Sequence, residues 1–135
     1  MSVIEGVPNA QVPVLIQAAD VVVDQLVLGW YAMFALEGMA LGKPVVCHVR
    51  SDFHNLYIGA GLLERGELPL VDASIHTIKE TLRHLASLPR RELHEIGLRS
   101  RAFVEKHHSI KAVGAEFDRI NRELSLRPSR TSVNG

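Results

Sequence analysis

The sequence predicts an α/β fold, a Rossmann-like three-layer sheet of about four parallel strands with C-terminal helices. Residues 21–26 begin with three valines, a β-branched run typical of a strand covered on both faces. Residues 32–41 have a helical composition, and Gly42 and Pro44 end that helix. Residues 45–49 form a second apolar run. Strand, helix and strand make a βαβ unit, whose right-handed crossover predicts two parallel strands.

Two elements are predicted before this unit. Val3 and Ile4 lead into the turn-prone segment 6–9, which indicates the tail of a short strand. Pro13 suits the first turn of a helix, because its missing N–H would be unpaired there in any case. We therefore expect a helix over residues 12–19, which Asp20 ends.

A loop and another strand follow the βαβ unit. Residues 50–67 carry three glycines and no steady apolar period, so we expect a loop with a short helix near residues 56–63. Residues 68–71 predict a brief strand.

Three amphipathic helices complete the prediction, each with apolar residues spaced three and four apart. Asp72 or Ser74 caps the first, which includes Ile75 on its apolar face and ends near residue 85. The second begins at Pro89 and ends near residue 107, and Ser109 caps the third.

The composition limits the class of protein. A length of 135 residues fits one domain, which we place at residues 1–126 with a polar tail at 127–135. Fifteen basic and fifteen acidic residues give a net charge of zero, which argues against nucleic-acid binding. No apolar run reaches the length of a membrane span, and no signal peptide is visible. The single cysteine requires no oxidising compartment, so we expect a soluble, cytoplasmic protein.

The turn between the first βαβ strand and its helix is the expected ligand site, because parallel sheets bind ligands at the carboxyl ends of their strands. Free N–H groups at the helix start favour an anion such as a phosphate. Glu37 lies nearly two turns into the helix. Two interpretations stay open: a carboxylate on the helix's exposed edge, or a carboxylate that faces the cleft and accepts bonds from two sugar hydroxyls.

The central block resembles the C-terminal half of the group 1 (family 4) retaining glycosyltransferases, which have the GT-B fold of two Rossmann domains. In that family an Ala-Asp pair, an apolar strand, a Glu-Gly-Phe-Gly turn, Glu-Ala-Met-Ala and Gly-x-Pro-Val-Val follow one another. The matching residues here are Ala19-Asp20, residues 21–23, Glu37-Gly38-Met39-Ala40 and Gly42-Lys43-Pro44-Val45-Val46. A later match is His107-His108-Ser109 before the last helix, and the resemblance covers roughly residues 3–124.

The resemblance implies a hexosyltransferase that uses a nucleotide-sugar donor. Glu37 occupies the position of the second glutamate of the family's E-x7-E pair, which hydrogen-bonds the donor ribose. Backbone amides of the turn before the helix contact the diphosphate and sugar in the family, which places Gly29, Trp30, Tyr31 and Ala32 there. It implies no cofactor and no metal, since the helix start stabilises the leaving diphosphate.

Two departures from the family pattern qualify this expectation. The family's first glutamate is replaced by Gly29, or by Leu28 if the alignment shifts by one residue. Asp24 either stands in for that acid or caps the loop. The N-terminal acceptor domain and the first strands of the donor domain are not in this chain. We therefore expect a truncated gene product, a wrongly assigned start of the gene, or one half of a split enzyme. Such a chain needs a separate N-terminal domain or a second copy as partner.

Other polar residues have competing interpretations. The polar residues that follow the second strand either touch the donor sugar or are ordinary loop residues: Arg50, Ser51, Asp52 and His54. Cys47 is expected to be a buried, inert thiol. The seven histidines show no metal-ligand spacing. Residues 38–43 resemble a phosphate-binding loop only superficially, because the spacing is one residue short and Pro44 replaces Ser or Thr.

A second function of a different class remains open. The chain would then be a non-catalytic, degenerate Rossmann-like module that pairs with another protein through an unfilled sheet edge. The loss of the family's first glutamate favours this alternative. A small phosphate-binding regulator is a third hypothesis, supported by the helix start alone.

Overall fold

The computed structural model describes Val3 and residues 5–125. A short 3-10 helix at Asn9–Gln11 precedes the first α-helix. The described elements are, in chain order, α1 Val12–Ala18, β1 Val22–Val23, α2 Met33–Ala40, β2 Val45–Cys47, α3 Ser51–Gly59, β3 Val71–Asp72, α4 Ile78–Ser87, α5 Arg90–His107 and α6 Ile110–Ser125. Among the helices of this described part, none is long and apolar enough to cross a lipid bilayer.

The sheet is parallel throughout, with strand order β1-β2-β3. Val22 lies opposite Val45 in the first pair, and Val46 lies opposite Val71 in the second. The predicted βαβ unit and the α/β class are confirmed. Within the described residues the sheet has three strands, not about four. Val3, expected at the end of a further strand, is 79% exposed and lies outside the sheet, and Ile4 lies outside the described residues.

Both faces of the sheet are covered by helices, as a three-layer arrangement requires. Successive residues of β2 point to opposite faces: Val45 packs in one core cluster with Ile16, Met39 and Phe103, and Val46 packs in another with Leu85. All of β2 is fully buried. The apolar run predicted at residues 45–49 therefore reflects the central position of β2 between two helical layers. The valine run predicted as a strand at 21–26 is the shorter outer strand β1.

Two glycines allow α2 and α5 to approach the βαβ unit closely. Gly38 faces the sheet, where an added Cβ would lie 3.0 Å from a Val45 methyl group. Gly97 of α5 lies against the turn after α2, where an added Cβ would lie 1.9 Å from the Gly42 carbonyl oxygen. Gly42 itself has φ +69° and ends α2 as predicted. These contacts hold the helix that carries Glu37 rigidly on the sheet.

Several predicted boundaries were wrong. Helix α3 begins at Ser51, ahead of the short helix expected near residues 56–63, and the third strand is Val71–Asp72 and not residues 68–71. Neither Asp72 nor Ser74 is the N-cap of α4, whose N-cap is Thr77. Ser74 instead closes a turn, in which its N–H donates to Thr77 Oγ1 at 2.9 Å.

Two further differences follow from these boundaries. Ile75 lies in that turn before α4 and is 59% exposed, so it is not part of the helix's apolar face. The capping role of Ser109 is confirmed, since its Oγ accepts the Ala112 N–H at 3.1 Å. The polar tail predicted at residues 127–135 lies outside the described residues.

Candidate functional site

The carboxyl ends of the three strands meet at one edge of the sheet, as parallel pairing requires. Asp24 and Gln25 follow β1, His48 follows β2, and Asp72 ends β3. Asp72 Oδ1 accepts the Val49 N–H at 2.9 Å and lies 3.4 Å from His48 Nδ1. We call these four residues, Asp24, Gln25, His48 and Asp72, the carboxyl edge. Open parallel sheets bind their ligands at this edge.

Gln25 organises the loop that connects β1 to α2. Its Oε1 accepts the N–H groups of Val27 and Leu28, at 2.9 and 2.6 Å. Its Nε2 donates to the carbonyl oxygens of Trp30 and His48, at 2.5 and 3.2 Å. No sequence pattern singled out this residue. A polar amide directly after a buried strand was the available signal, because such a side chain emerges at the carboxyl edge.

Gly29 is required by the loop's path. Its φ is +88°, and its carbonyl oxygen accepts the Arg50 N–H at 2.8 Å. An added Cβ would lie 2.3 Å from Arg50 Cδ, so any side chain at position 29 would require the Arg50 side chain to move. The positive φ is the stronger reason for a glycine here, because residues with side chains rarely adopt it.

The rings of Trp30 and Tyr31 are used in packing. Trp30 stacks on Tyr31 and on Tyr57 of α3, with ring centroids 5.0 and 4.5 Å apart. The Tyr31 hydroxyl lies 3.1 Å from His108 Nε2 beyond the end of α5. Burial, with a smaller contribution from Tyr57, raises the pKa of Tyr31 to about 12, and burial lowers the pKa of His108. Both rings therefore help to pack the loop against α3 and the end of α5.

The start of α2 is already approached by a carboxylate. Asp24 Oδ2 accepts the Ala32 N–H at 3.2 Å, so Asp24 caps the loop, which was one of its two expected roles. Within residues 5–125, the N–H groups of Trp30 and Tyr31 have no hydrogen-bond acceptor. An anion at this helix start would therefore meet two free donors and one neighbouring negative charge.

Glu37 is half-buried on α2 and lines an open groove of about 1410 Å³. Met33 and Phe34 of the same helix line this groove as well, together with residues of α1 and β1. Glu37 is the one predicted site residue among the described residues that line the groove. The loop residues predicted to share the site lie outside it: Gly29, Trp30, Tyr31 and Ala32.

The groove runs along the free edge of β1. The N–H groups of Val22 and Asp24 donate to β2 and its flanking residue at 2.9 Å, so the peptide groups of Val21 and Val23 point away from β2. Both residues line the groove. Because β1 is the outer strand of the described order β1-β2-β3, this groove lies along the side of the sheet, and it is not lined by Asp24, Gln25, His48 or Asp72 of the carboxyl edge.

The residues after β2 form their own cluster at the start of α3. Arg50 makes a bidentate ion pair with Asp52, in which its Nε and terminal nitrogen donate to the two carboxylate oxygens at 3.1 and 2.6 Å. This ion pair lowers the pKa of the Asp52 carboxyl. The guanidinium also lies over the Phe53 ring at 4.8 Å. His54 Nε2 is buried and has no hydrogen-bond partner in the described part of the chain. Within this cluster, the positive charge of Arg50 is paired with Asp52.

Cys47 is buried in the central strand, as expected. Burial, and then the nearby Asp24 carboxylate, raise the pKa of the thiol to about 11. At neutral pH the group is therefore a protonated thiol, which is a poor nucleophile.

Among the described residues, no group of three or more histidine, cysteine, aspartate or glutamate side chains is arranged to hold a metal ion. No protein-family model, curated protein or solved structure matches this chain.

Proposed function

We propose that this chain is the donor-binding half of a retaining glycosyltransferase, which holds a nucleoside diphosphate sugar for transfer of its hexosyl group. One observation carries the proposal: Glu37, half-buried on the βαβ helix whose start lies at the carboxyl edge, lines an open groove beside β1. A carboxylate there has the chemistry to accept hydrogen bonds from two adjacent ribose hydroxyls.

The diphosphate would lie toward the start of α2. The free N–H groups of Trp30 and Tyr31 and the helix dipole favour the negative charge that develops on the departing diphosphate. The acceptor would be held by a separate N-terminal domain or by a second copy. In this proposal the chain itself supplies binding and leaving-group stabilisation.

Calorimetric titration of the full chain with UDP, GDP and their hexose derivatives tests the proposal. Glu37→Gln is expected to weaken binding of the preferred nucleotide by about tenfold or more, because it removes a charged acceptor of two hydrogen bonds. Glu92→Gln, an exposed change in the first turn of α5, is the matched control and should bind as the unaltered chain does.

A nucleotide without ribose hydroxyls makes the assignment specific. The 2′,3′-dideoxy analogue should bind the unaltered chain and Glu37→Gln with equal affinity. If Glu37→Gln binds the normal nucleotide as tightly as the unaltered chain, the role of Glu37 is refuted, and if no nucleotide binds, the proposed function is refuted.

The free edge of β1 favours one second candidate, a non-catalytic module that pairs with a partner strand. The peptide groups of Val21 and Val23 have no backbone partner among residues 5–125 and lie along an apolar groove, and exposed edges of this kind accept further strands. Gel filtration separates the two candidate functions, because an oligomer that binds no nucleotide supports the non-catalytic module. Val23→Pro removes an edge N–H without removing a bond to β2, and it should shift such an oligomer toward monomer.

A further inference from the structure

We propose that Gln25 is a positioning residue, which holds the loop of residues 26–31 in the conformation that binds the diphosphate. The inference rests on the proposed function, because it assigns the anion to the backbone of this loop. It assigns a role to a side chain that does not itself touch the ligand.

The Gln25 oxygen decides which amides stay free. It accepts the N–H groups of Val27 and Leu28, and the Gly29 N–H points to the same oxygen at 3.4 Å. Converging N–H groups of this kind form a concavity that binds anions, and here the neutral side-chain oxygen fills it. Consecutive loop amides are thus satisfied internally, which leaves those of Trp30 and Tyr31 as the donors for a phosphate.

The Gln25 amide nitrogen ties the same loop to the sheet. It donates to the carbonyl oxygens of Trp30 and His48 and lies 3.2 Å from Cys47 Sγ. The loop's end and the end of β2 are therefore held by one planar group. Glutamine and glutamate have side chains of the same length. Glutamine supplies both an acceptor for the N–H groups of the loop tip and two donors for these carbonyl oxygens. Glutamate has the acceptor and, when ionised, no donor.

The exposure of the loop tip explains why hydrogen bonds from Gln25 are needed to order it. Val27 and Leu28 are 73% and 72% exposed, so packing does not hold them. A loop without buried side chains at its tip samples many conformations unless hydrogen bonds order it. Gln25 supplies these hydrogen bonds on one side of the loop, and the stacked Trp30 ring anchors the other.

The chain contains one tryptophan, Trp30, which makes the loop's order measurable without a ligand. In Gln25→Leu, acrylamide quenching of the Trp30 fluorescence should increase and the near-ultraviolet circular dichroism should weaken. Affinity for UDP or GDP should fall by about tenfold to a hundredfold, since the variant leaves several N–H and carbonyl groups of the loop without a hydrogen-bond partner. Gln17→Leu, an exposed glutamine change on α1, is the control.

Gln25→Glu provides a rescue that a general loss of stability would not produce. At pH 8 its carboxylate would face two carbonyl oxygens, and quenching should match that of Gln25→Leu. Facing these oxygens favours the protonated form and raises the pKa of the new carboxyl. At pH 5 the protonated group again offers a donor and an acceptor, so quenching should return toward that of the unaltered chain measured at the same pH.

The outcomes are distinct. Unchanged Trp30 quenching and unchanged nucleotide affinity in Gln25→Leu would overturn the positioning role, as would a lower melting temperature with both readouts unchanged. If the unaltered chain binds no nucleotide, the proposed function and the assignment of the anion to this loop both fail. Loss of affinity in Glu37→Gln together with unchanged affinity in Gln25→Leu overturns this inference alone.

Discussion

Gly97 and Gly42 touch at the point where α5 crosses the turn after α2. We expect Gly97→Ala to destabilise the fold by about 2 kcal/mol or more, because the added methyl group would lie 1.9 Å from a backbone carbonyl oxygen that cannot move away alone. Urea unfolding followed by circular dichroism measures this change.

A matched glycine on α6 is the control for that substitution. Nothing lies within 4 Å of a Cβ added at Gly114, so Gly114→Ala should stabilise its helix by about 0.5–1 kcal/mol. Equal effects of the two substitutions would contradict the close contact between Gly97 and Gly42.

Asp24 is the residue whose charge opposes an anion at the start of α2. Asp24→Asn keeps an oxygen for the Ala32 N–H and removes the negative charge, so UDP or GDP should bind about threefold to tenfold more tightly at low salt. The gain should shrink as salt is added. Titration calorimetry at two ionic strengths measures both effects, and weaker binding by Asp24→Asn would instead indicate that Asp24 contacts the donor.

The single residues of the site differ in how far the sequence predicts them. Glu37 was singled out by its place in the βαβ helix and, together with Gly29, by the resemblance to the glycosyltransferase family. The structure places Glu37 in the groove and Gly29 in a turn with φ +88°. Gln25 was not identified, because its importance comes from contacts with His48 and Cys47 across the sheet. A glutamine beside a strand has no distinctive spacing until its partners are known.

At the scale of the elements, Glu67 fastens the segment before β3 to the end of α5. Its carboxylate accepts the Glu64 N–H at 2.9 Å, contacts Lys106, and lies 2.8 Å from His107 Nε2. These partners, first the Glu64 N–H and then the side-chain hydrogen bonds from Lys106 and His107, lower the pKa of Glu67 to about 2.

This depressed pKa predicts a pH dependence of stability. A folded-state pKa below the ordinary value of 4.5 means that the carboxylate stabilises the fold above about pH 4.5, and that this contribution is lost as the pH falls toward 2. The difference in unfolding free energy between the unaltered chain and Glu67→Gln should be largest at pH 7 and shrink toward pH 3. A difference independent of pH would contradict a stabilising role for the ionised Glu67 carboxylate. Lys106→Gln should show a smaller effect of the same sign.

The helix caps and strands show where prediction of elements succeeds. Pro89, Ser109 and Gly42 act locally, so the ends they mark were found from the sequence. The start of α3 was missed because residues 51–54, of which only Phe53 is apolar, carry no apolar period. The helix there is stabilised by contacts that Phe53 and Tyr57 make with Trp30, which lies far away in the chain.

At the scale of the whole molecule, stability should decline from the centre of the sheet to the last helix. β2 is buried completely, whereas α6 has no buried residue in the described part and rests on α5. We expect native-state hydrogen exchange to be slowest in β2 and α2 and fastest in α6, which opens without disturbing the core. Equal protection of α6 and β2 would indicate that something covers the apolar side of α6.

The apolar side of α6 and the groove beside β1 are both uncovered among the described residues. Phe117 and Leu124 of α6 are 63% and 56% exposed although their spacing is that of a buried helix face. The groove beside β1 is lined by Leu15, Phe34 and Leu82. Apolar surfaces of this kind are common at protein interfaces.

The sequence by itself determined the α/β class, the parallel βαβ unit and most helix ends, because these depend on residues close together in the chain. Only the tertiary structure decided that Glu37 faces a groove at the free edge of β1, and that Gln25 orders the loop before α2. It also decided that residue 29 has a positive φ, a conformation that favours glycine. These features depend on which distant residues meet, and the packing of helices on the sheet determines that meeting.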